Sequence, residues 1–510
     1  MLTREFQVDD LERDALEVLR LVRSVKNSFA PIGRIPPEVL SLIPDYYGEE
    51  DGDDTDEDLI ASTHVCRGWR DVLISRPSLW TKLDFKNVDK THNYIQRSQS
   101  FPLQLRLEDD DVIDEAFPLI IPHLGRVGSL TVNAALPSFL EHFRCHIPHL
   151  EILHINIATE YNPVLDDALF NGDLSSLREL HLTRVLTNLP WENLANLQVV
   201  ELVSAQNYGT AQILDFLGSA PLLRTISLDY PMPDSSDAPP ERIVPLHHLK
   251  AFNIQAGERY PTLLRHLRIP IGASLVSRFN FHGDESPLLA YLPERSPNST
   301  ILSHVTTINL LFDSTQKFAL LTGPSGSLCV LAEWRDWWGP SSPTLDRRIL
   351  RSLDLLTLST TQRLTISRYH HPRPDNVKEC PISQILLSMN NLRTLTLIDC
   401  DNRPFVLALD PEQNPSNFVR CSSMEELVVC VWSPDQFHLE HFTSMTENRA
   451  SRGAKLSSIT FVHVYGLALE KEVFELKEHV THVECRVDDR PPPWDDVPGE
   501  NGRERRRFWG

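Results

Sequence analysis

Leu150-Glu151-Ile152-Leu153-His154-Ile155 and, 27 residues on, Leu177-Arg178-Glu179-Leu180-His181-Leu182 share one pattern, Leu-x-x-Leu-x-Leu. Alternate apolar residues of a strand lie on one face, so each copy predicts a short strand with a leucine side to bury. Further copies run from Leu197 to Leu202, Leu223 to Leu228, Leu249 to Ile254, Val276 to Phe281 and Val305 to Leu310. Others run from Leu392 to Leu397, Met424 to Val429 and Leu456 to Phe461, with weaker copies opening at Val127, Thr361 and Val480. One copy cannot bury its own leucine face, but stacked neighbours bury it for each other. Parallel strands need crossovers, and the intervening residues suffice for helices. Ile213, Leu214 and Leu217 have helical spacing in one such crossover, with Gly218 placed to close the helix.

Copies recurring every twenty to thirty or so residues resemble irregular leucine-rich repeats. The resemblance implies an α/β solenoid over 86–487 with a parallel sheet on its concave face. Leu311 to Leu350 interrupts the rhythm and carries Glu333-Trp334-Arg335-Asp336-Trp337-Trp338. This reads either as a buried insert packed on the stack or as an exposed contact patch.

Ahead of the ladder, 31–85 has a helical character. Pro36 and Pro37 fit a first helical turn, and Val39, Leu40 and Ile43 fall on one face. Thr55 with Asp58 marks the next helix start, and Leu59, Ala61, Val65, Cys66, Trp69 and Leu73 form its apolar stripe. Leu79, Trp80 and Leu83 follow a break at Pro77. So small a segment buries too little surface alone, and an apolar face left over should find a partner.

Three blocks, Ile35-Pro36-Pro37-Glu38-Val39-Leu40, Val65-Cys66-Arg67-Gly68-Trp69-Arg70 and Pro77-Ser78-Leu79-Trp80, resemble the opening, centre and close of the F-box family, in order. The resemblance implies a three-helix F-box that docks the Skp adaptor and, through it, a cullin. The remainder of the chain would capture an unknown protein substrate. It places partner binding on Ile35, Pro36, Val39, Leu40, Ile43, Leu59, Val65, Cys66, Trp69 and Trp80, some of which must instead hold the helices together. Two features depart from the family. Pro44 should end or kink the first helix, and Glu49 to Asp58 is a long loop with eight carboxylates. The alternative is a repeat scaffold whose F-box acts outside a ubiquitin ligase.

The flanks read more simply. Residues 1–30 form an amphipathic helix with Leu11, Ala15, Val18, Leu19, Val22 and Val25 near one face, suited to packing beside the F-box or to a short coiled-coil arm. Residues 488–510 read as a disordered tail of prolines and arginines, its arginines either a solvated charge run or a nuclear import signal.

Bulk properties narrow the function classes. A net charge of −21 over 510 residues argues against general nucleic-acid binding. Eight cysteines with no Cys-x-x-Cys pair read as reduced thiols. The absence of an apolar signal core or a membrane-length apolar run leaves a cytoplasmic or nuclear protein without membrane contact as the expectation. Thr322-Gly323-Pro324-Ser325-Gly326-Ser327 lacks the lysine and spacing of a phosphate loop. His142 and His146, four apart, could share a helix face, but two ligands alone are a weak metal signal. No catalytic residue, cofactor or metal is expected, and the strand positions Glu151, His154, Arg178, Glu179, His181 and Arg393 mix signs and name no ligand class.

Overall fold

A computed structural model describes residues 2–29, 35–40, 42–43, 55–108, 113–134, 141–157, 164–165, 169–187, 194–203, 209–230, 242–256, 263–264, 266–281, 304–312, 316–324, 326–334, 353, 358–369, 381–413, 419–430, 439–462 and 470–486. The acidic loop before Thr55, Pro44, Trp337, Trp338 and the tail from Asp488 lie outside them. The chain is mixed α/β and divides into two compact units, Met1–Asn196 and Leu197–Gly510.

The first unit opens with helix α1 (Leu2–Phe29). Its Leu11, Val18, Leu19, Val22 and Val25 are exposed. Short helices α2 (Pro37–Leu40), α3 (Thr55–Thr63) and α4 (Arg67–Ile74) follow, then a 3₁₀ turn, Pro77–Trp80. Helix α3 starts at Thr55, as expected, so Thr55 to Asp58 belong to the helix and not to the acidic loop expected over Glu49 to Asp58, and α2 ends at Leu40, before Pro44 is reached.

Strand β1 (Lys82–Asp84) starts a parallel sheet here, so Leu83 belongs to the sheet and not to the helical segment. The chain continues through α5 (Val88–Arg97), β2 (Leu103–Glu108), α6 (Ile113–Ile120), β3 (Val127–Ala134), β4 (Ile152–Ile157), β5 (Val164–Leu165), β6 (Glu179–Thr183) and β7 (Leu186–Thr187). Strands β1, β2, β3, β4 and β6 pair in chain order, all parallel, and β5 and β7 form a small ladder of their own. Leu105, Leu130, Leu153 and Leu180 point to one side and are buried, which is what the alternating pattern requires.

The crossover between β4 and β6 uses a 3₁₀ turn, Leu169–Gly172, in which Phe170 and Asn171 take left-handed backbone angles (φ 55° and 53°). Arg126 fastens the end of α5, donating to the Gln99, Phe101 and Ile95 carbonyls and to Ser98 Oγ.

The second unit repeats the arrangement. Its strands are β8 (Val199–Val203), β9 (Thr225–Tyr230), β10 (Val244–Pro245), β11 (Ala251–Ala256), β12 (Leu267–Arg268), β13 (Ser274–Phe281), β14 (Thr307–Phe312), β15 (Gln316–Gly323), β16 (Gly326–Trp334), β17 (Arg363–Ser367), β18 (Thr394–Ile398), β19 (Glu426–Cys430), β20 (Ser458–Val462) and β21 (His482–Arg486). Among the described residues its helices include α7 (Thr210–Ser219), α8 (Pro381–Ser388), α9 (Arg403–Leu409), α10 (Leu439–Ser451) and α11 (Glu470–His479). Helix α7 buries Ile213, Leu214 and Leu217 as their spacing requires. It runs through Gly218 and ends at Ser219, where Ala220 leaves the helical angles.

Every expected copy of the ladder in this unit is a strand. The paired residues start about two positions late, the leading Leu197, Leu223 or Leu249 being buried in the turn before its strand; β13 is the exception and starts at Ser274, two residues before Val276.

The described part of the segment that broke the rhythm, up to Trp334, joins this sheet. Strands β15 and β16 make an antiparallel hairpin, with β15 antiparallel to β14 and β16 parallel to β13. The hairpin therefore lies between β13 and β14, and β14 continues in parallel to β17, β18, β19, β20 and β21. The glycine run that lacked phosphate-loop spacing is its turn: Gly323 pairs with Gly326, and a Cβ on Gly323 would run into the His304 carbonyl.

Candidate functional site

The helical segment is built around Leu40 from α2 and Trp69 and Leu73 from α4, all buried, with Ile35, Ile43, Cys66, Val72 and Leu79 partly buried against them. Trp69 and Leu73 are four residues apart, so one face of α4 carries both. Arg70 Nε donates to the Thr63 carbonyl at 3.0 Å and ties the end of α3 to α4. Leu40 N donates to the Pro36 carbonyl at 2.9 Å, closing the short α2 turn behind the two prolines. Trp80 is fully buried; its Nε1–H donates to the Leu73 carbonyl at 2.9 Å, and its ring meets Tyr94 of α5 edge-on at 5.0 Å.

The ten candidate residues thus fall into two groups. Leu40, Leu59, Trp69 and Trp80 are buried, Leu40 and Trp69 in one cluster with Leu73. Pro36, Val39 and Val65 are exposed, Val39 and Val65 each at 51%, and Ile35, Ile43 and Cys66 are half-buried at the edge of the cluster. Leu42 and Ile60 are also exposed apolar residues, and sequence reasoning missed them. Both flank a residue of the apolar stripe, so a stripe count passes over them.

The sheet faces carry a second set of polar groups. In the first unit, Asp84, Arg106, Thr131, His154 and His181 lie in lateral register across β1, β2, β3, β4 and β6. A cavity of about 250 Å³ at the β1 end is lined by Lys82, Asp84, Lys86, Gln104, Arg106 and Glu108. Burial pushes the Glu108 carboxyl up, but the hydrogen bond from Lys86 and the charge of Arg106 outweigh it and hold the group below its ordinary value. Lys86 and Arg106 approach it at 3.1 and 2.8 Å. Toward the other edge, His154, Glu179 and His181 bring their donor atoms within 4.8 Å of one another, and Arg178 pairs with Glu151 at 3.7 Å. In the second unit, Arg393 and Glu425 line a cavity of about 600 Å³ together with His304, Gln362 and Asn391.

His142 and His146 do not converge. His142 packs against Phe117 at 5.1 Å, and His146 faces Asp173 at 3.6 Å. No helix among the described residues is long and apolar enough to cross a membrane. No family model matches the chain, and no curated protein matches it.

Proposed function

We propose that this chain is a substrate-recognition adapter of a Skp–cullin–F-box ubiquitin ligase. On this reading residues 31–85 are the F-box, and the strands behind it form a leucine-rich-repeat solenoid that binds the target protein. The observation that carries the reading is the division of the F-box-like blocks. Leu40 and Trp69 form a buried core, while Val39 and Val65 of the same blocks stay exposed, as a docking segment needs. The parallel strands with buried leucine faces support the repeat assignment.

The adapter has no catalytic residue of its own. Its mechanism is positional: holding adaptor and target on one chain raises the effective concentration of target lysines near the charged conjugating enzyme. The polar sheet faces supply mixed-charge contacts for a protein target.

The test is co-purification with the Skp adaptor and a cullin. Val39→Asp and Val65→Asp should each abolish capture while leaving the far-UV circular dichroism of the wild type, since both side chains are exposed. Capture of both partners by a folded Val39→Asp/Val65→Asp double variant refutes the docking surface. Capture of the adaptor without a cullin favours a scaffold outside the ligase.

A further inference from the structure

The geometry points to a zinc-binding site on the sheet of the first unit, formed by His154 of β4 and Glu179 and His181 of β6. It stands on this sheet alone and is independent of the adapter reading. Both histidines occupy the same place in their copies of the ladder, directly after the second leucine. The parallel register then pairs His154 with His181 across neighbouring strands. Glu179, two residues before His181, falls on the same face of β6. All three side chains are half-buried, on the face opposite the buried Leu153, Leu180 and Leu182.

The two imidazole rings lie 4.0 Å apart, centroid to centroid, and one donor atom from each of the three residues lies within 4.8 Å of the other two. A tetrahedral zinc site with bonds of about 2.0–2.1 Å sets its donors roughly 3.3 Å apart. Side-chain torsions can close that difference, because the ladder already fixes the three backbones side by side.

The donor types select the ion. Two imidazoles and one carboxylate suit zinc and leave a fourth position for water, whereas magnesium and calcium favour oxygen donors. Loss of any one donor leaves two, too few to hold the ion against water.

The full chain, stripped of metal by a chelator, is titrated with zinc chloride by calorimetry. A parallel titration with cobalt(II) chloride is followed by visible absorption. The expected result is a saturable site with the intense cobalt spectrum of four-coordinate geometry. His154→Ala and His181→Ala should abolish that spectrum, and Glu179→Gln should weaken zinc binding at least about tenfold. Changing the exposed pair His247 and His248 to alanine should leave both unchanged. Circular dichroism checks each variant, and Glu179→Gln, which keeps size and shape, serves where a histidine variant fails to fold. Wild-type protein that binds no zinc, or folded variants that bind it as the wild type does, overturns the assignment.

Discussion

Replacing Trp80 by alanine should loosen the helical segment and the start of the first sheet together. The indole is fully buried, and it bridges α4, through its bond to the Leu73 carbonyl, and α5, through Tyr94 and the Arg97 guanidinium 4.4 Å from the ring. Truncating a buried aromatic side chain to alanine costs about 3–5 kcal/mol. The edge-on pair with Tyr94 accounts for about 0.5–1.5 kcal/mol beyond area burial. The Leu73 carbonyl is not orphaned by the change, because Arg76 N also donates to it at 3.3 Å. Trp80→Phe, which keeps a ring and loses the N–H, should therefore cost only about 1–2 kcal/mol, one ordinary hydrogen bond plus a small void. Hydrogen exchange followed by mass spectrometry reads local stability segment by segment. The alanine variant should lose protection in 67–80 and in 88–97, and the phenylalanine variant should fall between it and the wild type. If Trp80→Ala loses protection in only one of the two segments, or less than Trp80→Phe does, the bridging argument is wrong.

Arg449 of α10 is fully buried and donates to the Arg420 and Cys421 carbonyls at 2.7 and 2.9 Å, holding Cys421 in a left-handed conformation (φ 48°). Arg449→Met should destabilise the second unit by about 2–3 kcal/mol in urea unfolding, since charge-assisted bonds are lost. Gly323→Ala should cost about 1–3 kcal/mol by the same measurement, with lost protection confined to the hairpin and β14, because its Cβ meets backbone. Burial pushes the Cys400 and Cys421 thiols up from 9.0 to about 12. Below pH 9 both are neutral whether folded or unfolded, and their contribution is complete. Above it the unfolded thiols ionise first, so stability should fall between pH 9 and about 12, less steeply in a Cys400→Ala/Cys421→Ala variant. Native alkylation at neutral pH should label the exposed Cys485 and spare Cys400 and Cys421.

Strand positions were legible because leucine at every second residue gives an extended chain one apolar face, whereas on a helix the same spacing scatters the leucines around the axis. The ladder placed β3, β4, β6, β8, β9, β11, β13, β14 and β17 to β21. It missed β1 and β2, and the two-residue strands β5, β7, β10 and β12. Leu103-Gln104-Leu105-Arg106-Leu107 alternates cleanly, but Pro102 stands just before it and the leading Leu-x-x is absent. The hairpin was illegible for another reason: its partners are set by which edge it enters, a long-range choice that local apolar spacing does not encode. In the candidate docking segment, helical spacing found the core residues Leu40, Trp69 and Leu73 and passed over Leu42 and Ile60, which the stripe does not contain. The histidine pair was visible as two residues at one phase of the ladder. Only the register between β4 and β6 makes them neighbours.

The hairpin between β13 and β14 also sets a parity rule for this sheet. Each antiparallel step reverses strand direction, and two reversals restore it, so β14 and everything after it still run the way β13 does. A single antiparallel step at that position would have turned all later strands around and put their crossovers at the wrong end. Antiparallel steps that this architecture tolerates therefore come in even numbers. Excising 313–335 would leave two like-directed edges able to seal against each other, which makes this position a natural place to graft or remove a module without disturbing the rest.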